Sequence, residues 1–194
     1  LSTDEAAGSV IRTRALQAIA DIDWLEGRTA NAHTAYLQLL DMPLRLSALR
    51  RIAVSAYATE SQQPSHLGDR VRNYLFDTHQ TPQSATDSAQ HLAAEFPQDP
   101  VVQYLLARRY VQSDDEPRGI QAHLKALALN LPSPLLIRET HLQLAHAYRR
   151  RAEYDAAIEQ YIQAKAQFSS QGYRNIIDDW IARCGWLKRR TATL

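Results

Sequence analysis

Along nearly the whole chain apolar residues recur at spacings of three and four, and nowhere does a sustained period-two alternation appear. Such a pattern predicts amphipathic helices, each with one face in a core. The breaks between periodic stretches fall at Gly27-Arg28-Thr29, Asp41-Met42-Pro43, Ser61-Gln62-Gln63-Pro64-Ser65 and Thr81-Pro82. They continue at Pro97-Gln98-Asp99-Pro100, Ser113-Asp114-Asp115-Glu116-Pro117, Pro132-Ser133-Pro134, Arg151-Ala152-Glu153 and Ser169-Ser170-Gln171-Gly172. About ten helices joined by short turns follow, which is the signature of antiparallel helix pairs. Helix pairing within residues 60–83 is not set by the pattern.

Composition agrees. Of 194 residues, 29 are Ala and 24 Leu, against 6 Gly and 8 Pro, so strong helix formers dominate and breakers are few. With 45% hydrophobic residues the chain can bury a core. The alanines are placed rather than scattered. Ala145 is followed by Ala157 twelve residues on and Ala164 seven further; Ala107, Gly119 and Ala126 repeat the spacing, as do Ala20, Ala32 and Leu39. An apolar residue precedes each leading alanine (Leu144, Leu106, Ile19), and a ring lies four residues after each central small residue (Tyr161, His123, Tyr36). Small residues at a helix crossing admit close approach, and a ring fills the groove beside them. Self-similarity of this kind, with a period in the mid-thirties, predicts stacked helix-turn-helix units.

The stretch from Leu144 through Tyr148, Ala157 and Tyr161 to Ala164 resembles a tetratricopeptide repeat. Val101 to Pro132 resembles a second repeat, and residues 13–43, with Trp24 and Leu25 closing the first helix, resemble a third. The resemblance implies an all-α solenoid of helical hairpins over 1–194, with good repeats about 13–43, 100–133 and 138–171. An irregular region occupies about 44–97, because the 87 residues separating Ala32 from Gly119 are no multiple of the family period. Three helix-like stretches, about 44–59, 66–79 and 84–96, fill it. The segment about 172–189, carrying Ile176, Ile177, Trp180, Ile181 and Trp186, is expected to cap the stack.

Charge sharpens the picture only slightly. The formal net charge is +1, yet residues 1–97 hold 8 Lys+Arg and 11 Asp+Glu, whereas 98–194 hold 14 and 10. Arginine clusters such as Arg149-Arg150-Arg151 sit among acids and lack interleaved aromatics, so nucleic-acid binding is not expected. No glycine-rich phosphate loop, nucleophile elbow or zinc-binding pair of histidines occurs, and Asp178-Asp179 splay about 100° apart on a helix. No enzyme, metal or cofactor is expected. Cys184 is alone, so an internal disulfide is impossible, and the sequence does not separate a cytoplasmic from a periplasmic setting. No apolar run reaches the roughly 18 residues of a membrane span. The first residue is Leu1 rather than Met, which leads to the expectation of a processed chain or of part of a larger protein.

What remains is a binding surface. In the family, the first helix of each hairpin lines an inner groove that takes a peptide. Carried over, the groove residues are Gln17, Asp21 and Trp24; then Val101, Tyr104 and Arg108; then Glu139, Leu142, His146 and Arg149. Spacings of three and four put each set on one helical face. Arg108, His146 and Arg149 would surround Tyr104 and Leu142 with positive charge, which suits a protein or peptide with an acidic or carboxylate feature and an apolar anchor. Gln17 and Asp21 occupy positions where the family's carboxylate clamp has Lys and Asn, so that clamp is not expected. The expectation is a protein-interaction scaffold. Its rival is the accessory region of a larger bacterial peptidase or envelope-export component. Exposed apolar ends would favour a homodimer or packing onto a further domain.

Overall fold

The computed structural model describes residues 3–63, 65–79 and 81–191. Among these are ten α-helices and no strand: α1 (Thr3–Leu25), α2 (Thr29–Leu40), α3 (Leu46–Ala58), α4 (Ser65–Phe76), α5 (Pro82–Glu95), α6 (Pro100–Gln112), α7 (Glu116–Ala128), α8 (Pro134–Arg150), α9 (Tyr154–Ala166) and α10 (Gln171–Thr191). The breaks fall where the sequence places them, and α3, α4 and α5 fill the irregular region in three pieces. Pro64, in one of those breaks, lies outside the described residues.

The sequence leads to the expectation of one continuous domain over 1–194. In the structure the chain forms two compact units, 1–88 and 89–194, with the boundary inside α5. In the first unit α1 and α2 form a hairpin, α3 packs on α2, and α4 on α3. In the second, α6 pairs with α7 and α8 with α9; α7 also packs on α8, and α10 closes against α9. These are tetratricopeptide-like helical hairpins, with the expected capping helix at the end.

The spaced small residues sit where helices cross. Ala20, Ala32, Ala107, Ala126, Ala145, Ala157 and Ala164 are all completely buried, and Leu39 takes the third place in the first hairpin. Each hairpin also turns in the same way. Gly27, Asp114 and Ala152, each seven residues after the leading alanine, adopt positive φ of 80°, 56° and 59°. A backbone N–H one residue further on then donates to a carbonyl five residues back: Arg28 to Asp23 at 2.7 Å, Asp115 to Tyr110 at 2.8 Å, Glu153 to Tyr148 at 2.9 Å. These bonds satisfy carbonyls that the helix end leaves open. Asp99 then caps α6, its side chain accepting from the Val102 N–H at 2.8 Å, and Asp115 does the same for α7 from Arg118. Pro100, Pro117 and Pro134 occupy first-turn positions, where their missing N–H is not needed.

Candidate protein-interaction surface

The residue after each leading alanine is the organising position of each hairpin. Fifteen residues on, the ring of the second helix faces it, and a side chain from the next helix in the stack completes the group. In the first unit Asp21 (α1) accepts from the Tyr36 hydroxyl (α2) at 2.7 Å and from the Arg51 guanidinium (α3) at 2.9 Å. Trp24 packs edge-on against both Tyr36 and Phe76, and Arg51 lies over the Phe76 ring. In the last hairpin His146 (α8) shares a 2.8 Å hydrogen bond with the Tyr161 hydroxyl (α9), and the Trp180 ring (α10) stands 5.0 Å from its own.

The middle hairpin carries the same positions with different chemistry. Arg108 (α6) stands where Asp21 and His146 stand, and His123 (α7) replaces the tyrosines. Glu139 (α8) supplies the third member, its carboxylate 3.9 Å from the Arg108 Nε and accepting from the Tyr104 hydroxyl at 2.9 Å. Glu139 and Tyr104 are buried, while the Arg108 side chain is partly open to solvent. His123 is 1% exposed, and neither ring nitrogen has a hydrogen-bond partner among the described residues; the Thr140 hydroxyl is likewise unpartnered. Loss of hydration, with Arg108 nearby, pushes the His123 pKa down to about 3. Burial, together with Arg149 and Arg150, lowers His146 to about 4.

The expected site residues therefore divide. Trp24, Val101, Tyr104 and Glu139 are interior, and Asp21 is held by Tyr36 and Arg51. Gln17 lines an open groove of about 430 Å³ together with Thr13, Arg14, Leu44 and Arg45. Arg108, Leu142, His146 and Arg149 are half-buried and keep a face to solvent. Tyr104, Arg108 and Glu139 are brought together directly; Leu142 joins the cluster around Ala145, Tyr161 and Ile177 that His146 also meets through Tyr161. One expectation needs correction. His146 is neutral at pH 7, so the positive charge on this face comes from Arg108 and Arg149 alone. Its helical phase is right, but spacing does not register the burial that strips the proton. Arg51 escapes the sequence reading, which places His123 and Trp180 only as a packing ring and a capping residue; the fifteen-residue interval from the position after each leading alanine to a ring is the visible trace of the part His123 takes in this group.

Among the described residues no group of three or more His, Cys, Asp or Glu could hold a metal ion. No described helix is long and apolar enough to cross a membrane.

No family model matches the sequence, and no curated protein matches it. Similar solved structures include a MamA protein, at 16% identity and TM-score 0.42, covering 93% of this chain and 94% of that one. Another is MamA AMB-1, at 14% identity and TM-score 0.49, covering 93% and 86%. At such values the fold stands on the coordinates themselves.

Proposed function

We propose that this chain is a protein-interaction scaffold whose second unit binds a peptide segment across α6 and α8. The ligand would touch Arg108, Leu142, His146 and Arg149. The observation that supports this most is the placing of Arg108: its Nε lies 3.9 Å from the buried Glu139 carboxylate, and its side chain stays partly open to solvent. A cation held in place loses little side-chain entropy on binding an anion, and its planar fork suits a carboxylate. Leu142 supplies an apolar contact and His146 a neutral ring, so the matching segment carries an acidic residue beside an apolar anchor. Tyr104 and Glu139 act from beneath the surface by positioning Arg108.

Selection from a random peptide library on the intact chain tests this. Enriched peptides are expected to pair Asp or Glu with an apolar residue within one helical turn's reach. Arg149→Glu is expected to weaken them by about tenfold or more, as loss of a charge-assisted contact requires. Peptides without acidic residues, or affinities unchanged by Arg149→Glu at low salt, would sink the reading.

A further inference from the structure

The repeats make α1 anomalous. In α8 the residues nine, five and one before the leading Ala145 and two after it, Leu136, Thr140, Leu144 and Ala147, are buried at 0–3% exposure. Ile120 and Leu127 of the preceding helix α7 cover the last two of them. The same positions counted from Ala20 are Ile11, Ala15, Ile19 and Ile22, and all are exposed, Ile11 at 69% and Ile22 at 49%. With Ala18 and Leu25, also exposed, α1 carries a stripe at 11, 15, 18, 22 and 25, an alternation of four and three. That is a seam for a second helix. Isolated surface isoleucines are ordinary; a continuous exposed seam at the positions that α8 has buried is not.

We infer that the occupant is α1 of a second copy, packed antiparallel about a two-fold axis at Ala18. In that register Ile11 meets Leu25, Ile22 sits over the small Ala15, and Ala18 meets itself, so the helices approach closely at the centre and large apolar residues close each end. Charge agrees with this direction. Arg12 and Arg14 flank the N-terminal half of the stripe, both exposed; at its C-terminal end Asp23 and Glu26 share one cation, Arg28, which leaves that end net negative. An antiparallel pair sets each arginine pair beside the other copy's Glu26, whereas a parallel pair stacks arginine on arginine. From Ile11 to Leu25 the seam is about 21 Å long. One helix face of that length falls short of the roughly 800 Å² per partner of a standard interface, so the dimer is expected to be reversible.

Sedimentation of the full chain from about 1 to 200 µM is expected to show a monomer–dimer equilibrium, abolished by Ile22→Glu. Ala18→Cys is expected to form a disulfide-linked dimer under mild oxidation at least about tenfold faster than Ile11→Cys, because only residue 18 meets its own copy; the native Cys184 is buried and does not compete. Arg12→Glu/Arg14→Glu and Glu26→Arg are each expected to weaken the dimer, and mixing the two variants to restore it as a heterodimer. A monomer throughout this range would overturn the inference, whether another protein or a flanking segment then takes the face. So would a dimer indifferent to Ile22→Glu, or equal crosslinking at positions 11 and 18.

Discussion

His123 shows what a single buried side chain costs. Its two nitrogens have left water without gaining partners among the described residues, and its pKa near 3 lies below the usual value near 6.5. Between those values the unfolded chain binds a proton that the folded chain refuses, so stability falls as pH drops from about 6.5 towards 3. At pH 5 the penalty from this residue is about 2 kcal/mol, against almost nothing at pH 7. His123→Phe keeps a ring beside Tyr104 and removes both unpaired atoms. Urea denaturation is expected to find the variant more stable by about 1 kcal/mol at pH 7, with the gap widening by about 2 kcal/mol at pH 5. A constant gap would mean that the imidazole is not buried neutral. None of this is visible in the sequence, where His123 reads as a ring filling a groove. The ring's place is legible from the spacing, but whether its polar atoms find partners depends on where Arg108 and Glu139 point.

At the scale of elements the reading from sequence is nearly complete, and for a physical reason. A close crossing favours small residues, at eight of the nine positions here with Leu39 the ninth, so the intervals of twelve and seven record geometry directly, and many helices begin or end at Pro, Asp and Gly positions whose backbone requirements are local. The turn residue follows the same logic. Gly27 takes positive φ without strain, and Ala152 takes it with a Cβ that crowds the backbone. Ala152→Gly is expected to stabilise the α8–α9 hairpin by about 1 kcal/mol, read as a rise in denaturant midpoint with unchanged slope. No gain would show that α8 ends differently in solution. Less legible is which half of a helical face meets solvent. Tyr104 and Leu142 both stand three residues before a leading alanine, yet Tyr104 is interior while Leu142 is half-open. Burial at that position depends on the neighbouring helix, which periodicity within one helix does not report.

For the molecule as a whole, the even charge balance conceals two differently charged halves, and the division near residue 97 lies close to the boundary between the compact units at 88. The excess of cations in the second half matters where two of them, Arg108 and Arg149, remain half-open on the first helices of their hairpins. In the function proposed for this chain, these arginines read an acidic residue in a bound peptide. A charge-swap titration tests it most directly, with calorimetry of a selected peptide and of its acid-to-lysine variant against the wild-type chain and Arg149→Glu. Each single change is expected to weaken binding by about tenfold or more and the two together to recover most of the loss, with salt weakening the matched pairs and relieving the repulsion in the mismatched ones. Losses that simply add, with no recovery in the doubly changed pair, would contradict it.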